Sequence, residues 1–176
     1  AEEKSLKNIE DKNPSLKNKS EVARRVALAG IVFNDLKQDR KLDIVFDWDE
    51  ALAFEGRTGP YLLYSYVRAS SILRKSSKAS GRKKEIKIFD LSDDEIRLVK
   101  KIDSFGEVVR KASENFAPSI VANYVYELAQ IFNEFYHSCN VLGSEEENFR
   151  LALIDSFRKV MKKGLNLLGI EELDEM

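Results

Sequence analysis

Cysteine occurs once in 176 residues, at position 139, so no disulfide can form within the chain. Histidine also occurs once, at position 137, and His137 and Cys139 together fall short of the four donors of a structural zinc site. They sit at the end of a helical pattern, where a buried thiol beside a surface imidazole is the ordinary outcome, so no catalytic Cys-His pair is assigned. Excess charge is nearly lacking too: 29 Lys and Arg face 30 Asp and Glu, a net charge of −1. A uniformly basic nucleic-acid binder is thereby excluded, and any phosphate affinity has to come from local groups. No apolar run approaches the roughly 18 residues of a membrane helix. The start, AEEKSLKNIEDK, has no apolar stretch of the kind a signal peptide needs, so a cytoplasmic protein is expected. With only three prolines and eight glycines, and 43% hydrophobic residues, the composition is that of a folded, helix-rich chain.

Residues 1–19 are rich in Lys and Glu, are broken by Asn13-Pro14 and show no sustained period, which reads as a frayed start. From Ser20 to about Lys37, Val22, Val26, Ala29, Phe33 and Leu36 recur at spacings of three and four, predicting a helix with one buried face. Asp47, Asp49 and Glu50 read as a helix start rather than an acid-base or metal cluster, because no nucleophile or electrophile is near them. Ser92 with Glu95 forms a capping-box signal and opens a helix to about Ala112. Pro118 opens another, carrying Val121, Val125, Leu128, Phe132 and Phe135. Ser144 with Glu147 repeats the capping signal ahead of Phe149, Leu153, Phe157 and Val160, with a stop near Gly164. Ile86, Ile88 and Leu91 suggest an extended arm. The fold class expected is all-α, an antiparallel helical bundle, with a helical connector at 1–58 and a bundle at 59–176.

Two features bear on function. Residues 74–87, RKSSKASGRKKEIK, set seven cations against one carboxylate, a local charge of +6 that suits a solvated linker able to steer an RNA. In FEGRTGPYLLYSYVRASSILRK, Gly56, Gly59 and Pro60 bracket a turn that launches a helix at about Pro60. Gly56-Arg57-Thr58-Gly59 reads as a structural turn that also touches the ligand. On the helix, Tyr61, Tyr64 and Arg68 stand at i, i+3 and i+7 and share a face. Aromatic rings and guanidinium planes are the groups on which unstacked RNA bases lie. On spacing alone the same tyrosines more readily cap a core built from Leu62, Leu63, Tyr66, Ile72 and Leu73.

The run FDWDEALAFEGRTGPYLLYSYVRASSILRK resembles the segment that follows the catalytic domain in class I arginyl-tRNA synthetases, where Phe-Glu-Gly-x-Thr-Gly-Pro-Tyr leads into a Tyr-x-x-x-Arg helix. The blocks YELAQIFNEFYHSCNVL and FRLALIDSFRKVMKKGLNLLGIEELDEM resemble the close of the same family. Within them DSFR, residues 155–158, stands at the Asp-Ala-Leu-Arg motif of the related DALR-type anticodon-binding domains. It keeps Asp155 and Arg158 and departs at Ser156 and Phe157.

The resemblance implies the C-terminal part of an arginine–tRNA ligase, binding the anticodon arm and inner bend of arginine tRNA. It implies no catalysis by this chain alone, since the family's His-x-Gly-His signature and lysine-rich ATP loop are not in it. ATP and Mg would belong to the catalytic domain, and no cofactor is expected here. Carried over by position, the anticodon-side contacts fall on Tyr61, Tyr64, Arg68, Arg74, Tyr136 and Met176. Arg74, at i+13 from Tyr61, points away from the stripe on an ideal helix, whereas Lys75 at i+14 lies on it. Arginine tRNA is the expected partner, with neither DNA nor a membrane, and a monomer is expected. The competing readings are a helical protein-interaction module with an aromatic docking face, and the matching domain of a cysteinyl or other related synthetase.

Overall fold

Burial of the apolar stripes has one solution in this chain, which is helix against helix. The computed structural model describes residues 1–43, 45–79 and 90–176. Among them lie α1 (Glu2–Lys12), α2 (Lys19–Leu36), α3 (Trp48–Ala51), α4 (Gly59–Ala79), α5 (Asp93–Asp103), α6 (Phe105–Glu114), α7 (Pro118–Ser138) and α8 (Glu147–Leu167), and no strand. The all-α bundle is the fold expected from the periodicity. Ile86, Ile88 and most of the basic run 74–87 lie outside the described residues.

Three helices make the centre. Leu62, Leu63, Tyr66 and Ala69 of α4 meet Val121, Val125, Leu128, Phe132 and Phe135 of α7, and α8 closes over them with Leu153, Phe157 and Met161. Phe132 and Phe157 lie nearly parallel with ring centroids 3.9 Å apart. The same core takes Ile9 and Leu16 from before α2 and Val22, Val26 and Phe33 from α2 itself, so segments 1–58 and 59–176 share one interior.

Glycine sets the closest approach. A Cβ on Gly59 would meet the Ala29 carbonyl oxygen at 2.1 Å, so α4 crosses α2 backbone to backbone. That crossing fixes where the first turn of α4 sits. Thr58 secures the turn by donating its hydroxyl to the Ala53 carbonyl at 2.6 Å and accepting the Tyr61 N–H at 3.2 Å.

Five expectations are corrected. Residues 2–12 form a helix, because Ser5 and Ile9 face the core one turn apart. Asn18, not Ser20, is the N-cap of α2, in the left-handed conformation at φ 60. The helix from Ser92, whose capping box does form, is interrupted at Ser104. There the Lys101 carbonyl takes the Ser104 hydroxyl at 2.8 Å and the Tyr124 hydroxyl at 2.7 Å, drawing that acceptor into side-chain bonds. Ser144 does not cap α8: its hydroxyl turns to the Val141 carbonyl, and Glu147 accepts the Gly143 N–H at 2.8 Å.

α8 also runs past Gly164 to Leu167. The left-handed residue is Gly169, at φ 74, closing a Schellman turn in which Ile170 N–H reaches the Leu165 carbonyl and Gly169 N–H that of Asn166, both at 3.0 Å. Gly164 serves packing instead, since a Cβ there would lie 2.3 Å from Val125 Cγ1. Gly164→Ala is expected to lower stability by about 1–2 kcal/mol through overpacking against α7, read as a drop in the urea midpoint at unchanged m-value. A midpoint at or above wild type would show that Val125 moves aside at no cost.

Candidate nucleic-acid interface

Tyr61, Tyr64 and Arg68 do share a face of α4, and the face opens onto a cavity of about 690 Å³. The cavity is lined by these three together with Ile9 from α1 and Asn13 just after it, Phe54 and Glu55 from the turn before α4, Asn133 and His137 from α7, and Met176. Four stretches distant in sequence, 9–13, 54–68, 133–137 and 176, thus converge on one recess.

Arg68 is its hub. One guanidinium nitrogen donates to Asn133 Oδ1 at 2.5 Å and the other to the Tyr64 hydroxyl at 3.0 Å. The guanidinium carbon lies 4.7 Å from the centre of the Tyr64 ring and 4.8 Å from that of Tyr136. The cation is therefore held by two partly exposed rings and a side-chain amide before any ligand arrives. Asn133 completes the lattice, its Nδ2 donating to the Tyr61 hydroxyl and to Ser65 Oγ, each at 2.9 Å. Burial pushes the Tyr61 phenol above its ordinary value, against the opposing Asn133 hydrogen bond, so it stays neutral at physiological pH. His137 stands edge-on to the Tyr136 ring, with centroids 5.5 Å apart.

The remaining assigned residues divide. Met176 reaches the cavity, and its carbonyl accepts a hydrogen bond from Asn13 Nδ2 at 3.2 Å. Tyr136 borders it through Arg68. Arg74 does not enter it: its guanidinium donates to the Asp174 carbonyl at 2.8 Å, two residues before Met176. Arg57 is likewise engaged within the fold, donating to the Lys37 carbonyl at 2.9 Å.

The DSFR tetrad lies on α8. Arg158 donates to Asp155 at 2.9 Å and Lys159 approaches the same carboxylate at 2.7 Å. Burial alone would raise the Asp155 carboxyl, but these two cations outweigh it and hold the group below its ordinary value. Phe157 of the tetrad supplies the ring stacked on Phe132, so the departure from leucine is absorbed as core volume.

The family model for the DALR anticodon binding domain matches residues 62–176. The chain belongs to that family. The arginine–tRNA ligase of Clostridium botulinum (strain 657) is 42% identical over 177 residues, and that of Clostridium kluyveri 43% over 178. Each alignment covers 99% of this chain and 31% of the relative, so the chain spans about a third of the length of the curated proteins it matches. Thermus thermophilus arginyl-tRNA synthetase superposes with a TM-score of 0.92 at 35% identity, over 99% of this chain and 31% of that one. The Plasmodium falciparum enzyme gives 0.83 at 28%, over 100% and 31%.

Of the cavity's lining, the matched DALR region supplies Tyr64, Arg68, Asn133, His137 and Met176, with Tyr136 at the border, whereas Ile9, Asn13, Phe54, Glu55 and Tyr61 precede it. Asn133, which bonds Tyr61 and Arg68, is the most consequential residue the sequence reading missed. Its signal was an amide in the apolar run IFNEFY, one helical turn before Tyr136. Ile9, Asn13, Phe54, Glu55 and His137 line the cavity and were not assigned to it either. Among the described residues no group of three His, Cys, Asp or Glu is placed to hold a metal ion, and no helix is long and apolar enough to cross a membrane.

Proposed function

We propose that this chain is the anticodon-binding part of an arginine–tRNA ligase and that its aromatic recess receives bases of the anticodon loop. The observation that carries the reading is the convergence of Tyr61, Tyr64, Arg68 and Met176 on one cavity, with the Arg68 cation set against the rings of Tyr64 and, at the border, Tyr136. Loop bases are read as single-stranded, splayed groups, and rings with a guanidinium plane supply their stacking surfaces. Phosphate attraction adds affinity without sequence information. A recess that sets Asn133, Arg68 and tyrosine hydroxyls among its apolar walls favours this reading over a purely apolar protein-docking face.

On this reading the chain performs no aminoacylation by itself, and arginine activation with ATP and Mg occurs elsewhere in a ligase about three times as long. The protein acts in the cytoplasm and as a monomer. Arginine tRNA is to be compared with the same tRNA altered at its middle anticodon base, over 50–200 mM salt. The expected result is weaker binding of the altered tRNA at every salt concentration. Equal affinities throughout would leave only unspecific phosphate binding. Tyr136→Ala, or removal of Met176, is expected to weaken binding of the cognate tRNA about tenfold, roughly 1.4 kcal/mol and within the worth of one stacked base. Unaltered binding by a folded variant would remove that residue from the site.

A further inference from the structure

The last eight residues pack back on the bundle through a series of bonds drawn from other helices. Beyond the Gly169 turn, Ile170 and Leu173 are buried. The backbone between and after them is clasped at Glu172, where the carbonyl accepts from Arg25 of α2 at 3.2 Å, at Asp174 by Arg74 of α4, and at Met176 by Asn13, which follows α1. Side-chain pairs run alongside, Arg25 with Glu171 at 3.5 Å and Lys162 with Glu172. The acidic segment therefore lies among fixed cations, and its end delivers Met176 into the recess.

From this geometry we infer that Arg74 is a positioning residue: it holds the acidic terminal strap so that Met176 forms one wall of the site, and it does not contact RNA. The inference rests on the anticodon-binding reading for its functional consequence and on the fold alone for its structural one. Arg74 and the stripe of Tyr61, Tyr64 and Arg68 are carried by the same helix, α4. One rigid element thus references both the rings and the strap opposite them. A guanidinium bonded to a carbonyl two residues before Met176 restricts that side chain far more than a free terminus would be restricted, and terminal residues fray unless tied down.

The chain contains two methionines, Met161 and Met176, which makes the test direct. Met161 is fully buried in the core and serves as the internal control. With methyl-labelled methionine, Arg74→Leu is expected to move the Met176 methyl resonance toward its random-coil position while Met161 stays. Arg74→Lys, which keeps a donor, is expected to recover part of the native shift. An unmoved Met176 signal overturns the inference, and so does movement of Met161 in both variants, which would give Arg74 a general role in the fold.

The functional arm uses arginine tRNA. Arg74→Leu is expected to weaken binding about three- to tenfold with the slope of log K against log salt unchanged, and to have no further effect once Met176 is removed. A slope reduced in magnitude by about 0.7–0.9 would mean that Arg74 meets a phosphate directly, and additive losses would break the link to Met176. Failure of the wild-type chain to distinguish the altered anticodon would sink the functional reading while the methyl spectra still decide the strap.

Discussion

Arg150→Met is expected to lower folding stability by about 3 kcal/mol at pH 7, the loss typical of breaking one side of a buried ion pair. Arg150 of α8 donates to Glu95 of α5 at 2.8 Å, and the Glu95 side chain is only 2% exposed. The same carboxylate closes the α5 capping box by accepting from the N–H and hydroxyl of Ser92 at 2.8 and 2.9 Å. Burial by itself would raise the Glu95 carboxyl. The Arg150 and Ser92 hydrogen bonds outweigh it, and the group stays below its ordinary value of 4.5. In the wild type this contribution is complete above that ordinary value and is lost as pH falls through the lowered one, because the unfolded chain binds the proton first. Removing the cation takes away the largest of the bonds that oppose burial and leaves the two from Ser92. The folded variant therefore binds its Glu95 proton more readily than the folded wild type does, and it lacks part of the stability that the wild type gains as pH rises. The wild-type advantage should therefore be larger at pH 7 than at pH 4.5 in paired urea titrations. Equal penalties at both values would mean that Glu95 does not titrate with folding. Glu95→Gln added to Arg150→Met should restore part of the loss by taking the charge out of the interior.

That pair also marks how far the amino-acid pattern could be read. The Ser92 and Glu95 box is local, satisfied within one turn, and was legible as such. Arg150 lies 55 residues away and its role depends on how α8 crosses α5. The same division runs through the fold. α7 announces itself because five apolar residues return at helical spacing, whereas α1 buries Ser5 with Ile9 and so presents little hydropathic period. The break at Ser104 depends on a hydroxyl from Tyr124, which no reading of residues 92–112 contains. Gly164 and Gly169 are equally good helix stops in sequence, and only the distance to Val125 decides that Gly164 is packed and Gly169 turns. In the recess, Tyr61, Tyr64 and Arg68 follow from spacing on one helix. Asn133, which links them, belongs to a second helix and emerges only when α4 and α7 are packed. Arg74 shows the opposite limit: its carried-over role named the residue, but its bonded partner is the terminal strap.

The hub of the recess should also show the largest loss of binding. Arg68→Leu is expected to weaken cognate tRNA binding by about 2–3 kcal/mol, combining a charge-assisted hydrogen-bond donor, a stacked plane and local phosphate attraction. The fold should lose much less, about 1 kcal/mol or under, since Asn133 keeps its bonds to Tyr61 and Ser65 and the site is open to water. Arg68→Lys separates the components. It retains the charge but cannot bond Asn133 and Tyr64 through two nitrogens of a planar fork while staying close to the rings of Tyr64 and Tyr136. If stacking and the fork geometry dominate, as the 4.7 and 4.8 Å ring distances suggest, lysine recovers less than half of the lost free energy, and discrimination against the altered anticodon stays weak. Full recovery by lysine would reduce Arg68 to a phosphate-attracting point charge and would leave the tyrosines as the only base-facing groups of α4.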